Sequence, residues 1–367
     1  MARGVERPAD APPLVLAPRA NPDLIGHESA EAELRRLVDA GRLPHAILLS
    51  GPRGVGKATL AFRLARFLLA NGDLPSVPAG EGGLAINPDS GVFRRVSAGG
   101  HADLLTVERA YDPRRRRLRG EIVVDDTREI TSFFRLTAAE GGWRIVIIDG
   151  AEEMNRNAAN ALLKVLEDPP RHALLLVISH GPGRLLPTIR SRCRLLVLTP
   201  LTSTVVEQLL QRHRPTLAQS EIEALAALSG GSIGRALELA DADGLTLYRS
   251  MLEILSQTQP IDVVRLHAFA DQLARADAED AYRISGELLL RLLARLAARS
   301  VGRGSNGQEF VAGEDDAIRC LAVRAGAAHW AALRENIQNV FASTDDLNLD
   351  RKQAILGAFF AIEELAR

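Results

Sequence analysis

The stretch GPRGVGKATL, Gly51 to Leu60, decides how the rest of the chain is read. It matches the phosphate-binding loop G-x-x-x-x-G-K-S/T at every position but one. In such a loop the glycines let backbone N–H groups curl around phosphates, and the lysine neutralises the outer ones. Gly51, Gly56 and Lys57 are in place, with Pro52, Arg53, Gly54 and Val55 between the glycines. The hydroxyl that would hold a magnesium ion is missing, because position 58 is Ala58. Thr59 carries one, but a step of one residue along a helix turns it roughly 100° away. The flanks supply the context the motif needs. HAILLS is a short apolar run before the loop, and Ala61, Leu64, Ala65 and Leu68 recur at helical spacing after it. A structural glycine turn with an exposed lysine is the plainer alternative.

Further along, WRIVIIDG carries four apolar residues, Ile145 to Ile148, ending in Asp149; ALLLVISH (Ala173 to His180) and CRLLVLTP read as two more buried strands. Helical patterns lie between them, which is the signature of a parallel α/β sheet. After Pro200 the strands stop. TSTVVEQLLQRHRPTLAQSEIEALAALSGGSIGRALELA reads as helices broken at Gly230-Gly231, and from about Leu245 nearly everything is helical, apart from the glycine-rich VGRGSNGQEFVAGED. The boundaries expected are a mobile leader at 1–20, an α/β domain at 21–200, a small helical domain at 201–243 and a larger helical domain at 244–367. No internal repeat at a fixed period is visible.

An ATPase of this type also needs an acidic pair at a strand end, one carboxylate for magnesium and a glutamate to prepare the attacking water. Asp149 is present, or it is simply a strand-end aspartate. The next residue is Gly150, and Glu152 and Glu153 come past the strand end. Both losses fall on hydrolysis, while the backbone cradle and Lys57 survive. A third feature is TIRSRCRLL: Ser191, Arg192 and Cys193 stand just before a strand, which would present the central arginine on a rigid edge. An arginine supplied to a neighbour's nucleotide stabilises charge on the transferring phosphate; three arginines near a strand are otherwise a solvated face.

The bulk numbers set limits. With 367 residues and 46% hydrophobic side chains the chain can bury sizeable cores, and a net charge of -1 supplies no global attraction to nucleic acid. Two distant cysteines, Cys193 and Cys320, make neither a disulfide framework nor a zinc cluster, which fits a reducing cytoplasm. No apolar run is long enough for a membrane span. The densest basic run, RRRRLRG from Arg114 to Gly120, precedes a strand-like EIVV and reads as a solvated hairpin or loop tip, with DNA or an acidic partner as the alternative.

Together, DLIGHESAEAELRRLVDAGRLPHAILLSGPRGVGKATLA, NRNAANALLKVLEDPP and LLPTIRSRC resemble the AAA+ subunits of bacterial clamp loaders, and LSGGSIGRALEL and NLDRKQAIL resemble that family's lid and C-terminal collar. An eroded loop and acidic pair with Ser-Arg-Cys kept is similar to the delta-prime branch of the family, in DNA polymerase III. The resemblance implies a P-loop AAA+ parallel-sheet domain, a helical lid and an all-α collar. It implies a non-hydrolysing stator in a hetero-pentamer with gamma/tau ATPase and delta subunits, lending Arg192 in trans. It also implies contact with the sliding clamp and primer-template DNA through the assembled ring. ATP held unhydrolysed in the cradle stays open. Many members carry a four-cysteine zinc module after the P-loop helix; here that stretch has no cysteine, and no zinc is expected. The family's nucleotide-sensing lid arginine would fall at Gly234, with Arg235 one residue on, and a strand sensor would fall near Ser179. Two rival readings remain: a motor ATPase with magnesium held through Thr59, and a bare scaffold that binds no nucleotide and lends no arginine.

Overall fold

The computed structural model describes residues 17–72, 83–112, 117–140, 142–256, 260–302, 309–347 and 349–367. Most of the expected leader, and Arg114 to Arg116 of the basic run, lie outside the described residues. By compactness the chain divides into two units, 1–213 with 230–234, and 214–229 with 235–367.

The first unit opens with helix α1 (Glu28–Asp39), strand β1 (Ala46–Ser50) and helix α2 (Lys57–Asn71). After α3 (Gly91–Ser97) come β2 (Leu104–Val107), the two-residue strands β3 (Tyr111–Asp112) and β4 (Arg117–Leu118), α4 (Val124–Arg135) and β5 (Arg144–Asp149). Next are α5 (Arg156–Glu167), β6 (Ala173–Ser179), the short α6 (Pro187–Arg190), β7 (Arg194–Val197) and α7 (Ser203–His213). Strands β2-β5-β6-β1-β7 lie side by side in that order and all neighbours run parallel; β3 and β4 form a separate antiparallel pair.

The three central strands are apolar on both faces because both faces are covered. Ile47, Leu49, Ile145, Ile147, Leu174 and Leu176 join a core with Leu60, Leu64 and Leu68 of α2. Their alternates Leu48, Val146, Ile148, Leu175 and Val177 join a second core with Ile130 of α4 and Leu162 and Leu166 of α5. In a parallel sheet the carboxyl ends of the strands share one edge, so Ser50, Asp149 and Ser179 are brought to the same rim.

Two sequence readings are corrected. EIVV is not a strand: Ile122 makes a single bridge to Met154, and Val124 already opens α4. The reason is Asp126, whose carboxylate accepts the Val123 N–H at 2.9 Å and caps the helix. Conversely, the edge strand β2 was not read from DLLTV; three of its four residues are only half-buried or exposed, so no clean apolar run marks it.

The second unit is helical: α8 (Gln219–Ser229), α9 (Ile233–Asp241, whose first two residues belong to the first unit), α10 (Gly244–Ser256), α11 (Val263–Leu273), α12 (Glu279–Ser300), α13 (Glu314–Ala322), α14 (Ala327–Leu347) and α15 (Arg351–Ala366). Asp262 and Asp350 cap α11 and α15 by accepting N–H bonds from the first turn. Glu314 is fully buried but not unpaired, since Tyr248 and Arg295 both donate to it. Arg291 of α12 donates to the carbonyls of Ala227 and Leu228 at the end of α8. Among the described residues no helix is long and apolar enough to cross a membrane.

Candidate functional site

The loop Gly51–Gly56 joins β1 to α2 as the motif requires, and Gly56 takes a left-handed conformation (φ 113°) immediately before the helix. Lys57 begins α2 and is only 2% exposed, its Nζ donating to the carbonyls of Gly51 at 2.7 Å and Pro52 at 2.6 Å. Burial pushes its pKa down to about 8, against the opposing fields of Asp149 and Glu152. Asp149, at the end of β5, is pushed up by burial and by the nearby Glu108. Lys57 and Asp149 thus lie within each other's field. Ala58 is half-buried and Thr59 is buried in α2, 9% exposed.

Backbone geometry also disfavours a side chain at the position of the water-activating carboxylate. Gly150 has φ 73°, and a Cβ built on it would stand 2.7 Å from a carboxylate oxygen of Glu153. Glu153 is itself paired with Arg109 at 2.8 Å. Glu152 accepts the His180 N–H at 2.8 Å and lies within the field of Lys57, while Ser179, the expected strand sensor, accepts the Gly181 N–H at 3.2 Å. Glu153 is thus held in an ion pair, while the second carboxylate oxygen of Glu152 is buried without a hydrogen-bond partner. Burial and the charge of Lys57 push the His180 pKa down. Chemically the rim offers a cradle of backbone N–H groups and a cation, which fit a phosphate, but no oxygen at 58 for magnesium and no base at 150. Among the described residues no group of three His, Cys, Asp or Glu is arranged to hold a metal.

Arg192 lies at the opposite ends of the strands, between α6 and β7. It is exposed, donating to Thr188 O at 3.1 Å and to Glu167 at 3.0 Å. Ser191 is exposed and donates to Thr188 O at 3.2 Å; Cys193 packs against the second core, where burial pushes its thiol up to about 11. The triplet thus reads as an anchored turn with its arginine outside. Arg190 donates to Pro182 O at 3.3 Å, and Arg194 pairs with Glu33 at 2.6 Å. In the second unit Arg235 pairs with Glu287 at 3.1 Å.

Sequence reasoning missed two residues here. His27 is buried, and its Nε2 donates to Val55 O of the loop at 2.7 Å. Arg66 of α2 is 1% exposed; it donates to the carbonyls of Arg19 and Asn21 and stacks over Phe93. His27 had a signal in its place within DLIGHES; Arg66 had none.

The parallel sheet and the glycine-rich loop between β1 and α2 give the arrangement that the phosphate-loop motif requires. Residues 26–202 match the family model described as "DNA polymerase III, delta subunit". The DNA polymerase III subunit delta' of Pseudomonas aeruginosa is 41% identical over 191 residues, 51% of this chain and 53% of that protein. The Escherichia coli subunit delta' is 33% identical over 224 residues, 60% of this chain and 62% of that protein. Escherichia coli subunit tau is 28% identical over 293 residues, 77% of this chain and 41% of that protein. Among solved structures, a gamma subunit-related protein of Thermotoga maritima aligns over 92% of this chain and 100% of that chain, with TM-score 0.40 and 17% identity. The chain spans about half the length of the curated relatives it matches. The resemblance read from the motifs is matched in its first half: residues 26–202 are similar to delta-prime subunits, and longer stretches of the chain are similar to tau and gamma/tau subunits.

Proposed function

We propose that this chain is a clamp-loader subunit of a DNA polymerase III holoenzyme, working in DNA replication as a stator that does not hydrolyse ATP. Residues 21–200 would form its AAA+ domain, 201–243 its lid and 244–367 its collar. Its partners would be gamma/tau ATPase and delta subunits in a hetero-pentamer, meeting the sliding clamp and primer-template DNA as an assembly in the cytoplasm. The chain would carry no structural zinc. Arg192 would complete a neighbour's ATP site. One contrast carries the reading: the hydrolytic positions 58 and 150 hold no functional group, while Arg192 stands exposed on an anchored turn.

The test is the ATPase and clamp loading of the reconstituted complex. A guanidinium supplied in trans is worth about 10³–10⁵ in rate at the site it serves. Arg192→Ala is expected to silence one site, so total ATPase falls in part, and clamp loading, which needs the sites together, falls further. Arg192→Lys is not expected to rescue, because an ammonium lacks the planar bidentate fork. Arg190→Ala and Arg194→Ala should do much less. Equal losses from all three, mimicked by added salt, would mean a diffuse basic patch instead.

A further inference from the structure

Five consecutive carbonyls of the phosphate loop have a partner from within the chain. Lys57 takes those of Gly51 and Pro52, at 2.7 and 2.6 Å. The Ser232 hydroxyl donates to Arg53 O at 2.7 Å, the Gly234 N–H to Gly54 O at 3.0 Å, and His27 Nε2 to Val55 O at 2.7 Å. Two of these five come from the short segment Gly230–Gly234, which belongs to the first unit, whereas α8 and most of α9 belong to the second. The segment is seated by a further bond, Leu201 N–H to Gly231 O at 2.9 Å.

The seat is also tight. A Cβ on Gly234 would stand 2.8 Å from Gly54 Cα, closer than side-chain carbons approach a backbone. Only glycine closes this contact without moving the loop. At the one place where the resemblance would put a nucleotide-sensing arginine, the two backbones meet instead.

We propose that Gly231–Gly234 is a constitutive backbone latch on the phosphate loop, so that loop and segment keep one arrangement whatever nucleotide is present. In a nucleotide-sensing arrangement a side chain would link the segment to phosphate, and its position would change as phosphate arrives or leaves. Here the link is made by main-chain and hydroxyl donors to loop carbonyls, groups that point away from a phosphate cradle and are satisfied without it. The non-hydrolysing reading is deepened by this, but the latch does not depend on Arg192 having a partner.

The test is hydrogen exchange on the purified full-length chain alone, which leaves the trans arginine out of the measurement. Peptides covering 51–58 and 230–236 should be protected, and millimolar magnesium-ATP should leave 230–236 unchanged. Ser232→Ala and Gly234→Ala should each speed exchange in both peptides by about tenfold, the equivalent of one lost hydrogen bond. Peptides from α15 serve as the control for global unfolding. If Gly234→Ala does not fold, Ser232→Ala, which removes only a hydroxyl, still decides. Protection of 230–236 that rises or falls with ATP in the unaltered chain would overturn the latch. So would either folded variant exchanging no faster than the original.

Discussion

The two ends of the parallel sheet treat their cations in opposite ways. At the carboxyl end Lys57 is sealed, spending its donors on the loop it belongs to. At the amino end Arg192 is exposed, and its partners are a carbonyl of its own turn and Glu167, whose side chain is 55% exposed. An exposed ion pair is worth about 0–1 kcal/mol, so Arg192 can exchange it for a phosphate at little cost. A buried charged donor cannot leave its partners so cheaply. One end holds its cation inside the fold, and the other presents its cation at the surface.

The sharpest way to break that comparison is to try to restore hydrolysis. Gly150→Glu puts back the missing carboxylate, yet it forces a side chain into a left-handed conformation and against Glu153. It is expected to cost about 2–4 kcal/mol of stability and to yield no turnover. Steady ATP hydrolysis by this variant alone, abolished again by Lys57→Ala, would show that the rim is a working site lacking one group.

A smaller effect is expected from Lys57→Met, about 1 kcal/mol of stability or less at neutral pH, because the lost hydrogen bonds are offset by removal of a charge that burial disfavours. The ATPase of the assembled complex should be unaffected, the reverse of Arg192→Ala. The pH dependence has a definite sign. Lys57 titrates near 8 when folded and near 10.5 when unfolded, so between those values the unfolded chain holds more protons. The stability of the original chain relative to the variant should therefore rise with pH across that window. Denaturation curves of both proteins at pH 7 and pH 10 check it; a difference that shrinks with pH contradicts the burial of the amine.

The smallest effect concerns the anchor beside Arg192. Cys193 has a thiol pushed up to about 11, whereas Cys320 is exposed. At pH 8 a thiol reagent should modify Cys320 faster by about a hundredfold or more, since the thiolate is the reacting form. Comparable rates would mean that the turn carrying Arg192 opens readily.

Much of this was legible because the signals are local. The loop motif needs eight residues in order, and β1, β5 and β6 announce themselves as unbroken apolar runs. Strand β2 did not, because an edge strand mixes exposed and buried positions, and EIVV misled because an aspartate two residues beyond it caps a helix. Ala58 and Gly150 could be named as losses from sequence, but the left-handed turn at Gly150 could not. Least legible were the partners. Ser232 lies 179 residues from Arg53, and Glu167 lies 25 residues from Arg192. No periodicity connects such pairs; only the folded chain does.

The turn at Gly150 also bears on descent. A lineage acquiring ATP turnover would need an oxygen at 58 and a carboxylate at 150, and the second sets a side chain on left-handed backbone beside Glu153. Each change alone brings strain or nothing, and none improves the protein until all are present. Natural selection accepts mutations singly, so the path has no favourable first step. At this rim the first step toward turnover carries backbone strain and no return.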